Sequence, residues 1–257
     1  MSEMAEVVAR LRAAGCVYAD REAALLLEAA DGAALDELVA RRVAGEPLEH
    51  VLGRVEFRGL RLAVGPAVFV PRQRTAVVVE EGARGLKADA IVVDLCCGAG
   101  TIGAAIRAVR PDVELWATEL DATAADCARE NLGDVVRIGD LFEPLPSRLW
   151  GRLDLVATNL PYVPTDAIAT MPPEARDHEP RLALDGGNDG LRLHRRAVPE
   201  AAGWLAPGGR LVVECGRAQA ATLADLMRAE GLDASVVTDD ALDGTAVIGR
   251  RNDTVAA

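Results

Sequence analysis

The sequence predicts an α/β protein whose mostly parallel, seven-stranded sheet is covered by helices on both faces and preceded by a small helical domain. After residue 88, short apolar runs alternate with helical patterns, which is typical of a parallel sheet with helices on each side. The first 45 residues show only helical spacing of their apolar side chains. Between these regions, residues 51–70 alternate apolar side chains around glycines, which predicts a β-hairpin.

The individual elements follow from these runs. Strands are expected at residues 90–95, 113–119, 135–140, 153–159 and 208–214, with a closing hairpin at the far edge from 234–239 and 245–250. Helices are expected at 101–110, at 121–131 and in a segment that ends at Pro207. The stretch 163–188 is rich in Pro, Asp and Gly, so we expect a long irregular loop there, and such loops are often functional.

These patterns divide the chain into three parts. Residues 1–50 are expected to form the helical domain, 51–75 a β-hairpin linker and 76–257 the α/β domain. The segment GEPLEH at 45–50 is expected to be a turn. The mixed-charge helical pattern of residues 1–12 is not that of a signal peptide.

Composition argues against several classes of protein. The net charge is -12, whereas proteins that hold nucleic acid through its phosphates usually have a basic surface, so stable nucleic-acid binding is not expected. No apolar run is long enough for a transmembrane helix, so no membrane association is expected. The 5 cysteines include no Cys-x-x-Cys pair and the 3 histidines have no metal-ligand spacing, which predicts reduced thiols, a cytoplasmic location and no metal site. None of these features specifies an oligomeric state.

A glycine-rich turn, VVDLCCGAGTIG, joins the first buried strand to its helix. Gly98, Gly100 and Gly103 let the backbone approach a ligand closely, and Glu119 at the end of the next strand can hold two ribose hydroxyls. This arrangement serves both dinucleotides and S-adenosylmethionine. Asp94, four residues before Gly98, gives the turn a form that resembles the Asp/Glu-x-x-x-Gly-x-Gly motif of class I methyltransferases. The turn therefore favours the methyl donor, with a dinucleotide as the alternative.

The segment Asn159-Leu160-Pro161-Tyr162 follows the fourth buried strand, at the edge of the sheet where ligands of such folds bind. It resembles the Asn/Asp-Pro-Pro-Tyr/Phe motif of methyltransferases that act on planar nitrogens. Such a nitrogen is a weak nucleophile because its lone pair is delocalised. Asn159 and the carbonyl of Leu160 can accept its N–H bonds and so aim the lone pair at the methyl group. Pro161 restricts that carbonyl, and Tyr162 can pack on the planar group.

Three separate regions carry a more specific resemblance. They are residues 41–75, RRVAGEPLEHVLGRVEFRGLRLAVGPAVFVPRQRT, residues 175–191, ARDHEPRLALDGGNDGL, and residues 244–250, GTAVIGR. All three are similar to the HemK/PrmC family, the protein-glutamine N5-methyltransferases that modify peptide chain release factors. The resemblance implies a Rossmann-like class I methyltransferase domain, a hairpin linker and an N-terminal helical domain that recognises the substrate. It also implies S-adenosylmethionine as cofactor and the Gly-Gly-Gln loop of a release factor as the target.

The resemblance assigns roles to particular positions. The donor would be held by Asp94, Cys96, Cys97, Gly98, Ala99, Gly100, Glu119, Asp140, Leu141 and Asn159, with Asp140 and Leu141 of the segment GDLF flanking adenine. The substrate glutamine would lie against Asn159, Leu160, Pro161 and Tyr162, with Phe69, Pro71 and Arg72 nearby and Glu179-Pro180 at the entrance.

The sequence also departs from the usual family pattern. Leu160 replaces a proline, and Arg74 and Ala76 stand where acids are usual. Asn-Leu-Pro-Tyr is the form found in rRNA adenine dimethylases, so N6-adenine methylation of rRNA or DNA is the alternative function. A catalytically inactive binding module is a third interpretation, against which the intact Asn159 and Tyr162 argue.

Overall fold

The structure, a computed structural model that describes residues 2–252, begins with a helical unit. Its helices are α1 (Glu3–Ala13), α2 (Ala19–Ala29), α3 (Gly32–Val43) and α4 (Leu48–Leu52). Apolar side chains recur three or four residues apart, so each longer helix turns one stripe toward the others. The resulting small core contains Val7, Val8, Leu11, Ala19, Ala23, Leu26, Leu35, Val39 and Val51. Because α4 begins at Leu48, the turn expected at 45–50 is limited to residues 45–47.

A short hairpin leads from this unit to the rest of the chain. Its antiparallel strands are β1 (Arg54–Phe57) and β2 (Leu60–Ala63). The hairpin is shorter than the expected 51–70, and the chain beyond it includes the left-handed residue Ala67, with φ 62°. Asn131 holds the hairpin in place, because its amide oxygen accepts from the N–H of Ala63 at 2.8 Å and its amide nitrogen donates to the Ala63 carbonyl at 2.9 Å.

The main sheet confirms the predicted fold class. Its strands are β3 (Ile91–Leu95), β4 (Glu114–Glu119), β5 (Val136–Ile138), β6 (Leu153–Thr158), β7 (Leu205–Glu214), β8 (Leu232–Asp239) and β9 (Gly244–Arg251). Within residues 2–252 they form a seven-stranded sheet in the order β5-β4-β3-β6-β7-β9-β8. The first five run parallel, and β9 pairs antiparallel with both β7 and β8. The expected closing hairpin is therefore present at the far edge.

Helices cover both faces of this sheet. They are α5 (Ala76–Ala83), α6 (Thr101–Val109), α7 (Ala122–Leu132), α8 (Pro173–His178), α9 (Arg181–Leu184), α10 (His194–Trp204) and α11 (Ala220–Ala229). One core joins the sheet to α5, α6, α7 and the hairpin, and a second joins the other face to α10 and α11. No helix in the described part of the chain has the length and apolar character that a bilayer crossing requires.

Two further sequence expectations about the elements were wrong. The stretch 163–188 is not irregular throughout, because it contains a 3₁₀ segment, Thr165–Thr170, as well as α8 and α9. Each of these pieces is too short for helical periodicity to show in the sequence. The helix before the fifth strand ends at Trp204, and β7 starts at the next residue, so Pro207 lies in the strand and does not end the helix.

A buried arginine connects the helical unit to the segment 163–188. Arg42 on α3 is 5% exposed, and its guanidinium donates to Glu22 of α2 at 2.6 Å. The same guanidinium lies 2.6 Å from the carboxylate of Glu174 on α8. Because a buried cation is stable only when it is paired, this side chain fixes α2, α3 and α8 relative to one another.

Replacing Arg42 with alanine should lower the free energy of unfolding by about 3 kcal/mol, because the carboxylate of Glu22 would remain buried without its partner. Urea unfolding measures the change. Arg12→Ala is the matched control, since the Arg12–Asp20 pair has side chains 63% and 74% exposed, and it should cost about 0.5 kcal/mol or less. Equal losses in the two variants would contradict a buried role for Arg42.

Candidate active site

A cavity of about 410 Å³ opens beside the carboxyl ends of β3, β4 and β6, which is where ligands of open α/β sheets bind. The predicted site residues that line it are Phe69, Pro71, Arg72, Cys96, Cys97, Gly98, Ala99, Glu119, Asp140, Leu141, Asn159, Leu160, Pro161, Tyr162 and Pro180. Asp94, Gly100 and Glu179 are buried and do not belong to this lining. The linker, the glycine turn and the loop after β6 thus surround one space.

The glycine turn has the backbone conformation that its sequence predicts. Gly98 has φ 55°, and a Cβ atom there would meet nothing within 4 Å, so the backbone is open to a ligand. Gly100 has φ 76°, and its Cβ would lie 2.7 Å from Leu132. Cys96 adopts a left-handed φ of 54° without being glycine, a conformation that functional turns often hold. Burial raises the pKa of the Cys96 and Cys97 thiols, so both remain protonated at neutral pH.

Asp94 supports the glycine turn from within the protein. Its fully buried carboxylate accepts a hydrogen bond from the N–H of Gly103 at 2.7 Å. A Cβ atom at Gly103 would lie only 3.0 Å from the same carboxylate, which explains the glycine. Burial raises the pKa of Asp94 to about 8. The structure therefore places Asp94 behind the turn, where it orders the backbone that faces the cavity.

Glu119 is held by three backbone donors. Its carboxylate accepts from the N–H groups of Gly98 at 2.8 Å, Leu120 at 2.8 Å and Asp121 at 3.0 Å. Burial nevertheless raises the pKa of Glu119. A carboxylate has about four acceptor sites, so Glu119 keeps capacity to accept from a ligand, and its contact with the ribose hydroxyls stays a prediction.

The loop after β5 contributes a charged pair and an apolar surface. Asp140 forms an ion pair with Arg196 of α10 at 2.6 Å, and both residues line the cavity. Leu141 has a left-handed φ of 46° and is 2% exposed. Arg196 joins this site through tertiary packing, and no motif in the sequence indicates it.

The loop after β6 turns Asn159 and Tyr162 toward the cavity and buries Leu160. The side-chain amide of Asn159 donates to the hydroxyl of Thr75 at 3.4 Å. The Tyr162 hydroxyl donates to the carboxylate of Glu214 at 3.1 Å. Leu160 is 1% exposed and packs in the core beneath α10 and α11. Only the backbone of Leu160 is therefore available to a substrate.

Residues outside the predicted motifs complete this loop. Arg74 and Thr75, from the linker, line the cavity, and Glu214 ends β7. Gln219 donates to the carbonyl oxygens of Tyr162 and Asp189, each at 2.9 Å, and so holds the backbone of the loop. The position of Glu214 at the end of a buried strand was the one sequence feature that could have indicated a role in the site. No sequence feature indicated such a role for Thr75 or Gln219.

The linker and the segment 163–188 build another wall of the cavity. The Arg72 guanidinium lies over the Phe69 ring, 5.3 Å from its centroid, and forms an ion pair with Glu179. The Glu179 side chain is only 1% exposed. Burial raises the pKa of Glu179 to about 7 although Arg72 favours its charged form. Glu179 therefore shapes the cavity by holding Arg72.

The comparison with known proteins agrees with this geometry. Residues 77–171 match the family model of the methyltransferase small domain. The fold and the site thus define an S-adenosylmethionine-dependent methyltransferase. The release factor glutamine methyltransferase of Geobacter sulfurreducens is 42% identical, over 77% of this chain and 71% of that protein. The corresponding protein of Caulobacter vibrioides is 35% identical, over 95% of this chain and 93% of its own.

The chain belongs to the family of release factor glutamine methyltransferases, which confirms the resemblance seen in the sequence. Among solved structures, a methyltransferase from Pyrococcus furiosus has a TM-score of 0.57 and 16% identity, and the match covers 83% of this chain and 97% of that one. This structural similarity shows that the two proteins share a fold.

The residues of the cavity fit the methyl donor. The open backbone at Gly98 admits close approach of a nucleoside or an amino acid group, and Glu119 and Asp140 place acids at the ends of β4 and β5. Apolar side chains such as Ile102 and Leu120 provide surface for a flat ring. When bound, S-adenosylmethionine supplies a methyl group already activated by a sulfonium.

Replacing Glu119 with alanine should weaken binding of S-adenosylmethionine by roughly tenfold or more, because it removes an acceptor and frees three backbone donors. Calorimetry measures the affinity. Glu114→Ala, an exposed position on the same strand, should leave it unchanged. Unaltered affinity in the Glu119 variant would show that the donor lies elsewhere.

Proposed function

We propose that this chain transfers the methyl group of S-adenosylmethionine to the side-chain nitrogen of a glutamine, with a peptide chain release factor as the protein substrate. The observation that carries the proposal is that residues 159–162 line the same cavity as the glycine turn. The names of the relatives, at 42% and 35% identity, support the choice of substrate.

The chemistry that this loop performs is orientation. The two N–H bonds of a glutamine amide can be accepted by the side-chain oxygen of Asn159 and the carbonyl of Leu160, which leaves the nitrogen lone pair aimed at the methyl group. The Tyr162 ring and the Phe69 ring line the same cavity and offer surfaces for the planar amide. Leu160 is compatible with this role because only its carbonyl is required.

The proposed reaction does not require a general base from the protein. A methylated amide nitrogen is cationic and strongly acidic, so its proton can pass to water after the methyl group has moved. The protonated thiols of Cys96 and Cys97 would not act as bases. Catalysis in this scheme rests on positioning and on exclusion of water by the apolar wall of the cavity.

We assign substrate recognition to the helical unit, residues 1–50. Its support is the contact between Arg42 and Glu174, which links the helices to the segment that carries Glu179. Residues on either side of α8, Met171 and Pro180, line the cavity, so this contact brings the helical unit next to a segment that reaches the site.

Adenine methylation in rRNA or DNA is the second candidate, because Asn-Leu-Pro-Tyr is shared with adenine dimethylases. The side chain of Leu160, which distinguishes this motif from the usual family form, is buried, so it offers no contact that would favour adenine over an amide. The net charge of -12 also opposes binding to a phosphate backbone.

Labelled S-adenosylmethionine should transfer its methyl group to purified release factor and not to rRNA from the same organism. Mass spectrometry should place the methyl on the glutamine of the Gly-Gly-Gln loop, and a release factor with alanine at that position should remain unlabelled. Label on RNA adenine would instead support the second candidate.

Asn159→Ala should lower turnover on release factor by about 100-fold, because it removes one acceptor for the substrate amide. Calorimetry should find donor affinity little changed. Asn188→Ala, at an exposed position of the 163–188 segment, is the control and should keep full activity. Turnover near the wild-type rate in the Asn159 variant would refute the orientation mechanism.

A further inference from the structure

The segment that follows β7 fixes the backbone of Tyr162. The amide nitrogen of Gln219 donates to the Tyr162 carbonyl at 2.9 Å. The amide oxygen of the same side chain accepts from the N–H of Gly216 at 2.9 Å, which sets the direction of the amide. Gly190 lies against this contact, since a Cβ atom there would come within 2.1 Å of the Tyr162 oxygen. The backbone end of Tyr162 is therefore closely constrained.

The hydroxyl end of Tyr162 is held by Glu214, the last residue of β7. The hydroxyl donates to a carboxylate oxygen of Glu214 at 3.1 Å. Strand β7 lies between β6 and β9 in the sheet, and the Glu214 side chain is only 1% exposed. A side chain packed this tightly on an inner strand has little freedom to move. The acceptor for the hydroxyl therefore has a fixed place.

These two contacts constrain the ring that lies between them. The hydroxyl of a tyrosine lies on the axis about which its ring turns, so fixing both ends fixes the direction of that axis. Because a phenol O–H prefers the plane of the ring, a single acceptor also disfavours rotation about the axis. Tyr162 lines the cavity, so the two contacts determine which surface the ring presents to a ligand.

We propose that Glu214 is a positioning residue that sets the plane of the Tyr162 ring against the amide of the substrate glutamine. This inference rests on the proposed function and extends it to a residue outside the 159–162 loop. A planar amide that packs on a fixed ring is held in one plane, so its nitrogen stays in line with the methyl group. A ring that could turn would let the amide leave that line.

The cost of burying Glu214 supports this role. Its second carboxylate oxygen is buried and has no hydrogen-bond partner within residues 2–252. An apolar side chain of similar size would avoid the cost of desolvating an acid. The hydrogen bond to Tyr162 therefore gives a reason for an acid at this position.

Arg74 gives the departure from the family pattern a structural reason. Its Nε lies 3.4 Å from the same oxygen of Glu214 that accepts from Tyr162. Burial raises the pKa of Glu214, whereas the positive charge of Arg74 opposes that rise. An acid at position 74 would instead place a like charge beside the carboxylate. The arginine favours the ionised carboxylate, which is the stronger acceptor.

The test removes each half of the hydrogen bond. Tyr162→Phe keeps the ring without its hydroxyl, and Glu214→Met keeps the length of the side chain without a carboxylate. Single-turnover methylation of release factor should fall roughly tenfold in each variant, whereas the affinities for the donor and for release factor should be retained. Glu214→Gln, whose amide oxygen can accept from the hydroxyl, should recover most of the rate. Asp154→Leu, near the opposite end of β6, is the matched control and should leave the rate unchanged.

A double-mutant cycle separates positioning from general support of the fold. Because each single variant breaks the same bond, the variant that combines Tyr162→Phe with Glu214→Met should be no slower than either one alone. A wild-type rate in Tyr162→Phe, losses that multiply in the double variant, or a Glu214→Gln rate as low as that of Glu214→Met would overturn the proposal. If Glu214→Met does not fold, Tyr162→Phe decides the matter. A wild-type protein that does not methylate release factor would instead overturn the proposed function.

Discussion

The site depends on one constraint, the position of β3 between β4 and β6 in a parallel sheet. In the register of the strands, Leu95 lies beside Thr118 on one side and Thr158 on the other. The Thr158 hydroxyl donates to the Leu95 carbonyl at 2.6 Å, and the N–H of Cys97 donates to the Thr118 carbonyl at 2.9 Å. Neighbouring strands are about 4.8 Å apart, so the donor turn and the substrate loop are close as soon as the sheet forms.

The same edge concentrates buried carboxylates. Asp94 is fully buried, and Glu119 and Glu214 are 9% and 1% exposed. Desolvation of an acid is costly unless donors replace water, and each of these acids accepts from backbone N–H groups or hydroxyls. The acids thereby order three separate segments of backbone around the cavity. These hydrogen bonds offset part of the free energy lost by burying the acids, and they also hold rigid the groups that a ligand meets.

The sequence predicted the parts of this protein whose signals are local. The strands, the glycine turn and the loop 159–162 carry their information within a few consecutive residues, and the structure brings their predicted residues to one cavity. Glu214 and its partner Tyr162, like Thr75 and Asn159, are far apart in the chain and meet only through packing. Periodicity also could not show that Leu160 turns inward, because a residue just beyond a strand has no fixed side. Likewise, α8 and α9 are shorter than the window in which a helical pattern is visible.

The Arg42 contact bears on the modularity of the enzyme. A domain that can be exchanged freely usually contacts the rest of its chain through a polar, solvent-exposed interface. Here one buried guanidinium, from α3, completes a charge network with α8, which directly precedes Glu179. A chimaera that exchanges the N-terminal helices for those of another protein must therefore carry the arginine with them. Without it, Glu174 would lose its buried partner, and the new helices would lack this ionic contact with α8.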